Sequence, residues 1–407
     1  MSEGAAATAG ADVAPVAHFK RHLGLLFCCW AGMSISMMLF VSVSALVGHM
    51  LADDKSLAAL PIALQWAATA ILTVPASFIM RWIGRRGGFA IASCSVILGA
   101  VCAIASIYYG LFWLYCVSCF LVGAGTGFSW YYRFAAAEVA PESWRSRAIS
   151  LVLAGGIVSA LVGPMLARYG MDLMAPLTFA GAFLIACIIQ LIVLSLLVFV
   201  RIPRPNALQL QGGRPMSVIA RQPKFIIAVI AGVVAYASMV LLMSITPLAM
   251  KMCGLDFDAA THVIQWHVLG MYVPVFFTGH LVRKFGVYRI MYAGGAAVIL
   301  CLIIAASGQD LVNFWVSLSL LGVGWNFLFV GATTLLTETH SVAERAKAQA
   351  FNEFCIFSVT GTLTFLSGQV LHNFGWTTVV VATMPLVLLV VGAAAWLAVH
   401  ERRSAAV

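Results

Sequence analysis

Two pairs of soft metal-ligand residues stand four positions apart inside apolar runs: Met239 and Met243 in Met-Val-Leu-Leu-Met, and His267 and Met271 in His-Val-Leu-Gly-Met. Residues at i and i+4 of a helix share a face, so each run presents two donor atoms to one side. Thioether sulfur and imidazole suit Cu(I), whereas a hard divalent cation requires carboxylates, and these runs contain none. Met239, Met243, His267 and Met271 are therefore the expected metal ligands, for copper, and no resident cofactor is expected. Methionine also fills irregular gaps in a core, but an ionisable residue such as His267 within a membrane span is functional by default. Further candidate ligands are Met33 and Met37, again four apart, and Cys253 and His262 near an outer loop.

The elements that carry these residues are membrane spans. The chain of 407 residues is 62% hydrophobic and 9% charged, with a mean hydropathy of +1.01. Soluble domains have about 25% charged residues, so lipid is a partner of this chain along most of its length. A helix needs about 20 apolar residues to cross a bilayer, and such segments recur twelve times: about 23–51, 57–80, 89–109, 111–137, 149–168, 176–200, 225–250, 259–282, 288–306, 311–336, 351–372 and 376–399. The expected fold is an all-α membrane protein of twelve transmembrane helices. The expected divisions are a cytoplasmic segment 1–22, a six-helix bundle 23–200, a basic linker 201–224, a second six-helix bundle 225–399 and a tail 400–407. Residues 1–17 lack the basic and apolar regions of a signal peptide.

The net charge of +9 does not indicate nucleic acid, because the basic residues fall on alternate loops. Lys20, Arg21, Arg81, Arg85, Arg86, Arg147, Arg283, Lys284 and Lys347 lie on one side, and Lys55, Arg168 and Lys251 on the other. The positive-inside rule then puts both termini in the cytoplasm. The ten cysteines lie mostly within spans, where free Cys behaves as a small hydrophobe. Arg133 is expected to snorkel or to pair with Glu138, and Glu353 to favour a helix N-terminus. There is no phosphate-binding loop and no nucleophile–His–acid arrangement, which argues against an enzyme or an ATP-driven pump.

The two halves repeat each other. Gln65-Trp66 recurs as Gln265-Trp266, Pro75 as Pro274, Arg81-Trp-Ile-Gly84 as Arg283-Lys-Phe-Gly286, and Gly123-Ala-Gly125 as Gly322-Val-Gly324. In this register Ala67 and Ile71 occupy the places of His267 and Met271, as if packing residues had given way to ligands. Two parallel six-helix repeats resemble the plan of the major facilitator transporters, and Gly279 to Gly286 resembles a portion of their loop signature, with Arg283 at its acidic position. The Met-x-x-x-Met and His-x-x-x-Met motifs resemble those of the CcoA-like copper importers. That resemblance implies a monomeric bacterial inner-membrane importer of copper, met by a copper chaperone on either side of the membrane and supplying haem–copper oxidase assembly. The alternative is a carrier of a flat organic solute, riboflavin or a drug-like cation, stacked on the tryptophan- and tyrosine-rich spans. A membrane copper sensor would have no use for two complete repeats.

Overall fold

A computed structural model describes residues 18–141, 144–203, 213–341 and 344–405. The first half comprises α1 (Phe19–Leu51), α2 (Leu60–Tyr109), α3 (Phe112–Ser129), α4 (Tyr132–Val139), α5 (Arg145–Leu153), α6 (Gly155–Asp172) and α7 (Ala180–Leu197). After the short α8 (Met216–Ile219) come α9 (Pro223–Met252), α10 (Phe257–Tyr272), α11 (Val275–Phe285), α12 (Val287–Ser307), α13 (Leu311–Thr337) and α14 (Arg345–Ala405).

The described helices are consistent with twelve passes. α2 and α14 have 50 and 61 residues, so either, if straight, would reach at least about 75 Å against a hydrocarbon core of about 30 Å. Each instead bends at a glycine: Gly84 at φ 83°, ψ 162° and Gly375 at φ 79°, ψ 176°. These conformations are strained for any residue with a Cβ. The fold-back is tight enough that a Cβ on Gly88 would lie 2.4 Å from the Met80 side chain. Other passes are broken part-way along their length. α10 passes into α11 at Pro274, which has no N–H to continue the ladder, and α3 passes into α4 at Trp130-Tyr131.

Close helix contacts fix the internal symmetry. A Cβ on Gly123 would meet the Gln65 carbonyl oxygen at 2.0 Å, and one on Gly322 would meet the His267 carbonyl oxygen at 2.2 Å. Gly286 repeats the backbone of Gly84, at φ 86°, ψ 152°. The second span therefore superposes on the eighth with an offset of 202, pairing Gln65 with His267, Trp66 with Val268 and Thr69 with Met271. The Gln-Trp recurrence lies two residues out of this register: Trp66 is 1% exposed and Trp266 48%. The expected equivalence of Ala67 and Ile71 with His267 and Met271 is thus corrected. The counterpart of His267 is another buried polar residue.

The halves meet tightly on the side away from the basic loops. Along α1 every residue from Leu39 to Gly48 is buried, as is every residue of α9 from Val234 to Met250. There a Cβ on Gly368 would lie 2.3 Å from that of Ala59, Gln369 donates to the Ser56 carbonyl at 3.0 Å, and Arg168 pairs with Asp258.

Candidate functional site

Between the halves lies a cavity of ≈ 70 Å³, bordered by α1, α9 and α10 among others. The residues of α9 that face it are Tyr236, Met239, Val240 and Met243, spaced i, i+3, i+4, i+7, the stripe that one helix face presents. α1 contributes Trp30, Met33, Met37 and Val41 on a matching stripe, and α10 contributes Val268, Met271 and Tyr272. The structure thus brings Met239, Met243 and Met271 together with Met33 and Met37, and adds Met38.

His267 does not join them. It is fully buried and absent from the cavity wall. Its Nδ1 lies 2.8 Å from the Leu318 carbonyl oxygen of α13, so Nδ1 carries the proton of that bond. At about 100° per residue, His267 sits a quarter-turn from Val268, the centre of the α10 stripe. Its Nε2 has no protein partner. The other two candidates lie at the outer ends of helices. Cys253 donates from Sγ to Gln309 Oε1 at 3.1 Å, and His262 Nδ1 lies 2.9 Å from the Asp258 carbonyl oxygen. Among the described residues no group of three or more His, Cys, Asp or Glu side chains could hold a metal ion.

Aromatic rings dominate what the ligand reading overlooked. Trp30, Trp66, Trp130, Tyr236 and Tyr272 line the cavity, and among the described residues no charged side chain does. The indole N–H groups of Trp30, Trp66 and Trp130 are all buried without an acceptor. Leaving a buried donor unpaired costs about 1–3 kcal/mol, and three such donors belong to residues that line this one cavity. The signal was present in the sequence as the stripe Trp30–Met33–Met37 and its match at Tyr236–Met239–Met243, where the aromatic leads each methionine pair.

On the basic-loop side the cavity is underlain by Phe357, which contacts Trp66, Trp130 and Tyr236, and by an ion pair between Arg133 and Glu353 at 3.0 Å. The Arg133 guanidinium also lies 4.9 Å from the Phe134 ring centre and 5.8 Å from that of Trp130. Pairing of Arg133 with Glu138 is corrected: Glu138 accepts from Arg85, at 2.6 and 3.2 Å. Glu353 lies two turns inside α14 and serves the contact between halves, where a role at the helix start was expected. All ten cysteines are unpaired.

Comparison with known proteins agrees with this architecture. Solved structures similar in fold include a D-xylose–proton symporter (TM-score 0.73, 16% identity, 92% of this chain and 96% of that one). The nucleoside transporter NupG is also similar (TM-score 0.69, 14% identity, 91% and 98%). In sequence, the chain is 38% identical over 375 residues to the riboflavin transporter RfnT of Brucella anthropi, covering 91% of this chain and 94% of that protein. It is 26% identical to an uncharacterized MFS-type transporter, YdeG, of Bacillus subtilis, over 88% of this chain and 87% of that one.

The similarity to a riboflavin transporter overturns the expectation of copper import, and the displaced His267 gives the physical reason. A histidine at i and a methionine at i+4 project about 40° apart, and here the cavity edge falls between them. Residues 23–356 match the Major Facilitator Superfamily, and the chain belongs to that family of membrane transporters.

Proposed function

We propose that this protein carries a flat, uncharged, acceptor-rich heteroaromatic solute across the bacterial inner membrane, and that riboflavin is its substrate. The observation that carries the reading is the trio of unpartnered indole donors, Trp30, Trp66 and Trp130, in a cavity without a charged wall. An isoalloxazine ring offers carbonyl and ring-nitrogen acceptors along its edges and two apolar faces. Tryptophan and tyrosine meet the faces by offset or edge-on packing, the indole N–H groups meet the edges, and the six methionines supply a deformable wall. A cationic solute would find no carboxylate there. The relative named as a riboflavin transporter supports the same choice.

Alternating access of the two halves about this mid-membrane cavity supplies the transport step. By the positive-inside rule the side with the basic loops is read as cytoplasmic, with both termini inside. The test is growth of a riboflavin-auxotrophic bacterium lacking its own uptake system. Expression of this chain should restore growth at micromolar riboflavin and accumulate labelled riboflavin in the cells. Unchanged uptake, with the protein present in the membrane, overturns the reading.

A further inference from the structure

Phe357 is fully buried and does not border the cavity, yet its ring touches three that do. It lies nearly parallel to Trp66 at a centroid distance of 5.9 Å and an angle of 14°, tilted by 32° against Trp130 at 5.6 Å, and edge-on to Tyr236 at 5.6 Å and 90°. Those three rings come from α2, from the break between α3 and α4, and from α9, so Phe357 reaches across the boundary between halves. The cavity measures ≈ 70 Å³, whereas pockets that hold organic ligands occupy about 300–1,000 Å³. A fused ring system enters only if the side chains or helices around the cavity give way.

Phe357 is the side chain best placed to do so. One turn along α14, Gly361 brings the backbone against α2, where a Cβ would lie 3.1 Å from the Ala63 carbonyl oxygen. One turn the other way, Glu353 is held by Arg133. Between these fixed points Phe357 presents an apolar ring with no hydrogen bond to break. The indole rings that line the cavity hold the orphan donors and must stay.

We propose that Phe357 holds the place of the substrate's ring. It occupies the stacking position beside Trp66 that a planar heteroaromatic solute takes over, and it returns when the solute departs. The residue then sets the size and flatness of what is accepted. This rests on the reading of a planar solute given above, but not on that solute being riboflavin.

The consequence has an unusual sign. Truncating a buried aromatic ordinarily weakens a site, but here the ligand no longer has to displace a ring. Phe357→Ala should bind the solute about two- to tenfold more tightly, the worth of one aromatic pair. Phe357→Leu should fall between Ala and wild type, and Trp66→Leu should lose binding. The experiment is calorimetric titration of the full-length protein in lipid nanodiscs with riboflavin, adenosine and quinoline, with thermal unfolding to establish that each variant is folded. Tighter riboflavin binding by Phe357→Ala supports the proposal, and equal or weaker binding by the folded variant overturns it. If Phe357→Ala does not fold, Phe357→Leu decides by the same comparison. If riboflavin binds to neither wild type nor variant, the riboflavin reading falls, and the proposal is decided by the other two rings. Tighter binding of either to the variant sustains it. Binding that the variant does not tighten, or no binding of any planar probe, overturns it.

Discussion

Arg133 Nη2 of the first half donates to Glu353 Oε1 of the second at 3.0 Å, one turn from the aromatic contact of Trp130 with Phe357. Among the described residues it is one of two ion pairs that join the halves, the other being Arg168 with Asp258 at the opposite end of the cavity. The two pairs bracket the cavity, so a carrier that opens to either side must break the pair on that side and keep the other.

Removing one partner of the basic-side pair should therefore shift the balance of states. Glu353→Gln leaves the Arg133 charge without its partner, a loss that falls between the roughly 1 kcal/mol of an exposed pair and the 3–5 kcal/mol of a buried one. Distances between spin labels across the two halves should lengthen on the basic-loop side. The charge-swapped double variant Arg133→Glu/Glu353→Arg should recover some of the wild-type distribution, and transport should follow the same order.

The orphan indole donors predict a separation of binding from stability. Replacing Trp30 or Trp130 by Phe removes an N–H that has no partner among the described residues. The melting temperature should hold or rise slightly. Substrate affinity should drop by up to about tenfold per donor, matching a net hydrogen bond of about 0.5–1.5 kcal/mol. Titration and thermal unfolding of the same samples read both.

His267 is expected to tolerate replacement by the residue that its counterpart carries. His267→Gln keeps a donor for the Leu318 carbonyl and should transport within a few-fold of wild type. His267→Ala deletes that hydrogen bond, while the Leu318 oxygen keeps its donor within α13, at a net cost of about 0.5–1.5 kcal/mol. Equal loss of transport in both variants at full stability would show that the imidazole itself acts on the substrate.

Two glycines should resist any side chain. Gly123→Ala and Gly322→Ala drive a Cβ to 2.0 and 2.2 Å from backbone oxygens. Overpacking of that kind costs about 1–3 kcal/mol or more, and neither contact can yield by rotating a side chain. Gly279, inside α11, has nothing within 4 Å of its would-be Cβ. Gly279→Ala should instead stabilise by about 0.4–1 kcal/mol through the unfolded chain. Melting temperatures of the three variants check the contrast.

At the loop between α13 and α14, Glu344 accepts from Arg214 Nε and Nη2, each at 2.8 Å, and from the backbone N–H groups of Ser341 and Arg214. The Arg214 side chain first, then those backbone donors, hold its carboxyl far below the usual carboxylate range. A depressed folded-state pKa contributes stability above the unfolded value and loses it as pH falls toward the folded one. The contribution should be complete at pH 7 and decline below the ordinary Glu value of 4.5. The gap in melting temperature between wild type and Glu344→Gln should accordingly shrink between pH 7 and pH 4.

Much of this was legible in the chain alone. Apolar runs long enough for a bilayer, and basic residues on alternate loops, are local properties that lipid and water sort without reference to any partner helix. They were sufficient for an all-helical carrier of twelve passes in two repeats. The i, i+4 spacing also placed Met239 and Met243 on one face, and that face does border the cavity.

What spacing cannot say is where a face points. Whether His267 looked into the cavity or into α13 depended on the rotation of α10, and that rotation follows from the close approach of Gly322 to its backbone. The register between halves was likewise decided by glycine contacts, which shifted the Gln-Trp match by two residues. Arg133 and Glu353 lie 220 positions apart, and the partnership of Trp66 with Phe357 spans a comparable distance. Such pairings arise only when helices from both halves pack, because a side chain's surroundings in a bundle belong to its neighbours in space and not to those in sequence.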